Sequence, residues 1–159
     1  MSHGKGITIA EQCHIVNATP PVDVGAGTVI SDVWDMKNYA HASIIITMGA
    51  VAATTTFTLF EATDSVAGTE VAINYDYYAE TTVAGDTLGA RTATAGGTGF
   101  ASGTNNSTTF VIEVDASELS DGYNWMRIKA ASAGAALHSI MVILSGARYQ
   151  QAVTPTAIA

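Results

Sequence analysis

Apolar and polar side chains alternate with a period of two along most of this chain. In the stretch Asp35–Ala62, Ile44, Ile46 and Met48 share one face, and Phe57 and Leu59 share another beyond a small-residue segment, Gly49–Thr54. Period two with β-branched residues on both faces is a strand pattern. It predicts an apolar hairpin at the centre of the fold, and two strands bury too little surface to stand alone. The same alternation predicts a strand over Thr108–Asp115, with Phe110, Ile112 and Val114 inward and Glu113 and Asp115 outward. It predicts another over Tyr123–Ala130, with Met126 and Ile128 opposite Trp125, Arg127 and Lys129, and a strongly apolar one over His138–Leu144. Val71, Ile73, Tyr75 and Tyr77 alternate with Asn74, Asp76 and Tyr78 along one further, half-exposed strand. Shorter strands are expected at Glu11–Asn17 and Val29–Trp34.

Breaks fall between these segments. Thr-Pro-Pro and Gly-Ala-Gly within Ala18–Gly27 predict an extended loop. The glycine-rich span Ala79–Asn106 is long for a plain connection; it holds weak strands around Arg91–Ala95 or projects as a loop. No stretch keeps a helical period. The fold class is therefore all-β, an antiparallel, jelly-roll-like β-sandwich of about eight strands. Residues 1–10 form an N-terminal arm or edge strand, 11–151 a single sandwich domain, and 152–159 a tail that frays past Pro155. The two apolar pairs, 39–59 and 123–144, echo each other faintly, as though one hairpin went to each sheet.

Composition changes the picture in one respect. Hydrophobic residues make up 48% of the 159-residue chain, but charged residues only 13%, about half the usual share. Lysine occurs only at 5, 37 and 129, and Ala, Gly, Thr and Ser fill the places of long charged side chains. Lysine depletion marks interface cores, so a contact surface is expected. The net charge of −8 and the lack of any basic cluster argue against nucleic-acid binding. The start of the chain has no secretory pattern, and no apolar run approaches the ~18 residues of a membrane span. Synthesis in a cytoplasm, with no membrane partner, is the expectation.

Candidate chemistry is sparse. His3, His14, His41 and His138 stand in no metal-ligand spacing with one another or with Cys13, and adjacent Cys13 and His14 would face opposite ways on a strand. No nucleophile elbow or phosphate-binding glycine pattern is present. Asp32 with Asp35, and Glu113 with Asp115, are acidic pairs of the kind glycosidases use, but alternating acids on an outward face are ordinarily solvated. The expectation is a non-enzymatic protein with no cofactor, catalytic group or metal. The aromatics carry more, since Tyr and Trp give large contact area at modest entropy cost. Trp34, Met36, Tyr39, Tyr75, Tyr77, Tyr78, Trp125 and Tyr149, with Ile7 and Ile9 of the arm, are the candidate protein-interface residues.

Several runs are specific enough to resemble a known group. GKGITIAEQCHIVNATPPVD (4–23), DMKNYAHASIIITMGAVAATTTFTLFEA (35–62), YYAETTVAGDTLGART (77–92), IEVDASEL (112–119) and SGARYQQ (145–151) resemble a family of small virion structural proteins of tailed bacteriophages, most like capsid decoration (cement) proteins. The resemblance implies a place on the outer capsid surface, the major capsid protein and further copies of itself (a homodimer or homotrimer) as partners, and no catalytic residues. The arm, with Ile7 and Ile9, could add a strand to a neighbour. The alternatives are a tail, collar or head-fibre component, or a carbohydrate-binding β-sandwich using exposed Tyr and Trp.

Overall fold

The alternating segments fold into two antiparallel sheets packed face to face. The structure, a computed structural model, describes residues 6–104, 106–147 and 156–158. Its elements are a short α-helical turn, α1 (Ile9–Gln12), a 3-10 turn (Ala116–Glu118), and strands β1 (His14–Asp23), β2 (Ala26–Ile30), β3 (Trp34–Asp35), β4 (His41–Val51), β5 (Thr55–Ala62), β6 (Glu70–Ala72), β7 (Asp76–Ala79), β8 (Thr92–Ala93), β9 (Phe100–Ala101), β10 (Thr109–Asp115), β11 (Trp125–Ala133) and β12 (Ala136–Ser145). One sheet runs β1-β12-β4-β10-β7-β8; the other runs β2-β11-β5-β6, with β3 on β11 and β9 on β5. The sandwich is as expected, with twelve strands among the described residues in place of about eight. The extra strands are mostly short ones such as β3 and β9, which are too brief to register as a pattern, whereas β8 falls where a weak strand around Arg91–Ala95 was one of the two expectations.

The central pair is not a hairpin. β4 lies in the first sheet and β5 in the second, so Ala52–Thr54 carries the chain across the roughly 10 Å between sheets, not the ~4.8 Å between neighbouring strands. β11 and β12 make the same crossing in reverse. β4 pairs β12 from His41↔Ser145 to Val51↔Ala136, and β5 pairs β11 from Thr55↔Ser132 to Ala62↔Trp125. The Ala52 N–H donates to the Ala135 carbonyl at 2.8 Å where the two crossings touch. The echo in the sequence is therefore two arches stacked along their whole length. β1 and β2 lie on the far side of β12 and β11 and turn the same corner, where the Asp23 carboxylate accepts from the Gly25 and Ala136 N–H groups at 3.0 and 2.8 Å. Those backbone donors hold the Asp23 pKa below the ordinary carboxylate value. The small residues between the strands matter here: a Cβ on Gly134 would sit 3.1 Å from that of Ala53.

Three further expectations change. The loop expected over Ala18–Gly27 is mostly strand, since β1 continues through Pro20 and Pro21. It is an edge strand with register shifts between Asn17 and Val22, the setting in which proline is tolerated. The single strand expected over Val71–Tyr78 is broken, because β6 ends one sheet and β7 lies in the other. Around the break the Tyr75 backbone is held by Thr94 through N–H to Oγ1 and N–H to O contacts at 2.9 and 2.8 Å. The tail, where described, is docked: Ala157 is buried and Ile158 bridges Trp34. The core between the sheets holds Ile44, Ile46, Met48, Phe57, Leu59, Ile112, Ile128, Ile140, Val142 and Leu144, all essentially inaccessible.

Candidate interaction surface

With inward positions committed to the core, function falls to the two outer faces and the rims. The aromatics chosen for contact divide sharply. Trp34, Met36, Tyr39 and Tyr75 are interior and are not contact residues of the folded chain. The turn from Trp34 to Tyr39 plugs the end of the sandwich opposite the corner: Trp34 pairs Met126, the Met36 N–H donates to the Asn124 carbonyl at 2.8 Å, and the Tyr39 ring lies 5.9 Å from that of His14. Tyr75 donates its hydroxyl to the Phe57 carbonyl at 2.5 Å, and burial pushes its pKa well above the ordinary phenol value. Tyr77 is half-buried and stacks on Phe100 at 4.3 Å. Tyr78 and Trp125 are half-buried on the outer faces of opposite sheets. Ile7 and Ile9 are exposed. Ile9, however, opens α1, where the Gln12 and Cys13 N–H groups donate to the Thr8 and Ile9 carbonyls, so a strand through Ile9 is not the conformation present. Tyr149, and the sheet extension expected at 148–151, lie outside the described residues.

The outer face of the β5–β11 sheet has its charges satisfied. Arg127 and Lys129 both clasp Glu70, and the Lys129 ammonium sits 4.4 Å over the Phe60 ring. Burial opposes ionisation of Glu70, but the two cations outweigh it and lower its pKa.

The outer face of the other sheet is different. Cross-strand partners Met141↔Ile45, Ile45↔Val111 and Val111↔Tyr78 form a row across four strands, which Asn17 opposite Met141 ends on β1, and the pair Ile143↔Ile15 lies diagonally beside it in the next row, the one that holds Ser43, Glu113 and Asp76. This apolar stripe is flanked toward the corner by Thr47, Thr109 and Ser139. On its other side lies a depression of about 270 Å³ lined by His41, Asp76, Tyr78, Arg91, Glu113, Asp115 and Glu118. His41 bridges Glu113 and Asp115 at 2.7 Å from each ring nitrogen, and Ser43 donates to Glu113 at 2.6 Å. Arg91 pairs with Asp76. Partial burial lowers the His41 pKa, but hydrogen bonds to Asp115 and Glu113 and their charges outweigh it, and the net shift is upward. Four carboxylates against one guanidinium and one imidazole leave the depression negative whether or not His41 is protonated.

Sequence reasoning had Glu113 and Asp115 outward on one strand and passed over them as solvated acids. His41, more than 70 residues away in the chain, joins them only through the β4–β10 pairing Asp115↔His41. Among the described residues no group of three or more His, Cys, Asp or Glu is placed to hold a metal ion, and no helix is long and apolar enough to cross a membrane.

No family model and no curated protein matches the chain. Among solved structures it is similar to the crystal structure of SPBc2 prophage-derived protein YomS, at 9% identity and a TM-score of 0.47, over 84% of this chain and 93% of that one.

Proposed function

We propose that this chain is a non-enzymatic structural protein of a tailed-phage virion, set on the outer capsid surface, where it cements neighbouring major capsid subunits against the pressure of packed DNA. The reading starts from the virion-protein resemblance of the runs at 4–23, 35–62, 77–92, 112–119 and 145–151. The observation that carries it is the outer face of the β1–β12–β4–β10–β7 sheet, apolar along its middle, acidic along one flank and covered by no other strand among the described residues. A cement protein needs a rigid body and a contact face, and it stabilises the assembled shell by binding that state alone. Self-association into dimers or trimers would let one unit grip several subunits and raise avidity.

A carbohydrate-binding role has lost three of its seven Tyr and Trp candidates, because Trp34, Tyr39 and Tyr75 are interior and cannot stack on a sugar. A tail, collar or head-fibre place differs from cementing in copy number. Electron microscopy of purified particles, with the ratio of this chain to the major capsid protein measured by quantitative mass spectrometry, tests the proposal. A near-stoichiometric ratio and density over the capsomers are expected; a few copies at the tail or collar would refute the capsid role.

A further inference from the structure

We infer that the outer face of the β1–β12–β4–β10–β7 sheet is the docking surface, and that it takes a foreign protein surface with an apolar centre and lysine or arginine side chains along one edge. On the virion reading, on which this inference rests, that surface belongs to the major capsid protein.

Three observations lead there. The stripe of Met141, Ile45, Val111 and Tyr78 is continuous across four strands, Ile143 and Ile15 widen it diagonally toward the β1 edge, and Met141 and Ile15 are 45% and 48% exposed. An apolar band of this kind on an otherwise polar sheet marks a contact site. The flanking carboxylates then fix the partner's charge: Asp76, Glu113, Asp115 and Glu118 outnumber the cations beside them, so a basic edge is attracted and an acidic one repelled. On the opposite sheet the two cations are already held by Glu70, and the exposed apolar residues Ile30 and Val71 stand apart on its two edge strands, β2 and β6.

A second copy of this chain is a poor occupant. Laid face to face, it would set these carboxylates against their own kind, where Arg91 and His41 are already paired with Asp76, Glu113 and Asp115, or against the Thr47, Thr109 and Ser139 flank, which carries no charge. Size sets the expected strength. Five strands about 4.8 Å apart and seven residues about 3.4 Å apart give a face on the order of 500 Å². That is short of the ~800 Å² per partner of a standard stable interface. Single-site affinity is therefore modest, and firm attachment comes from several contacts made at once.

The test is co-sedimentation of the full chain with shells assembled from the major capsid protein of the same phage, across a concentration series. Ile15→Lys and Met141→Lys place a cation in the stripe at positions exposed enough for the fold to tolerate it. Asp115→Asn with Glu118→Gln removes flank charge. Ile30→Lys, at a 52% exposed position in β2 of the other sheet, is the control, and circular dichroism with a melting curve establishes that each variant is folded. Met141→Lys and the double amide variant are expected to weaken binding about tenfold or more, with Ile30→Lys binding as the parent. Equal binding by the parent and a folded Met141→Lys overturns this face while leaving the virion reading intact, as does loss of binding in Ile30→Lys of the same size. A parent oligomer that Met141→Lys converts to monomer assigns the face to a second copy and overturns the inference. Failure of the parent to bind shells removes the capsid-cementing reading and this inference together.

Discussion

Tyr75 illustrates how a single side chain can look functional in sequence and be structural in the fold. Its alternation with Tyr77 and beside Tyr78 suggested a half-exposed aromatic strand, but its hydroxyl donates to the Phe57 carbonyl from a 6% exposed position. Tyr75→Phe keeps the ring and leaves that carbonyl short of a donor, which costs about 1–3 kcal/mol. Urea unfolding should show a lower midpoint with an unchanged slope, and an unchanged midpoint would remove the hydrogen bond from the account. The histidines make a pH prediction of opposite signs. His138 is 2% exposed, its ring 5.4 Å edge-on to Phe57, and burial lowers its pKa from 6.5. The unfolded chain then binds a proton that the folded chain resists, so stability falls as pH drops below 6.5. His41, its pKa raised between Glu113 and Asp115, contributes stability that is complete below 6.5 and lost as pH rises through its folded value. Stability measured from pH 5 to 8 should thus lose its acid-side decline in His138→Leu and its alkaline-side decline in His41→Asn. A profile unchanged in both variants would refute the pairings. The face of His138 was legible, since it stands in phase with Ile140, Val142 and Leu144, but its contact with Phe57 was not, because alternation does not report what lies across the core.

At the scale of elements, the loop between β8 and β9 is held in place by one close approach. Gly99 has φ +74, and a Cβ there would lie 2.0 Å from the Phe57 carbonyl oxygen, so only glycine allows the chain to pass and seat Phe100 against Phe57, Tyr77 and Phe110. Gly99→Ala should cost about 3 kcal/mol or more by displacing that ring. Gly103→Ala, at φ +69 with open space around it, should cost only the backbone strain, about 1 kcal/mol. Thermal melts of the two variants check the contrast, and equal losses would mean the close approach does not matter. The strands themselves were legible from alternation: inward Phe110, Ile112 and Val114 and outward Glu113 and Asp115 stand where the pattern put them. Their partners were not. Period two reports the face of a residue and is silent on which strand lies beside it. A weak signal did distinguish arch from hairpin at Ala52-Ala53-Thr54, which lacks the Asn-Gly or Asp-Gly pair that a tight hairpin turn favours. The acidic depression stayed hidden for the same reason, since it is assembled from β4, β7, β10 and the segment holding Arg91, and only strand order brings them together.

For the whole molecule, the proposed role turns affinity into mechanical stability of a shell. A ligand that binds only the assembled state stabilises it by RT ln(1 + [L]/Kd) per site, about 2.7 kcal/mol at a hundredfold excess over Kd. Shells saturated with this protein should therefore release their DNA at a higher temperature than bare ones, with a midpoint that climbs with its concentration. Salt separates the two parts of the proposed contact. The acidic flank acts over a screening length of about 10 Å at 0.1 M and about 3 Å at 1 M, whereas the stripe around Ile45 and Met141 does not depend on screening. The protective shift should shrink between 0.05 and about 0.5 M NaCl and then level off above zero, and Asp115→Asn with Glu118→Gln should start near that plateau and vary little. Coincident release curves with and without the protein at every salt concentration would refute cementing, and a salt-independent shift in the parent would leave the stripe alone as the grip.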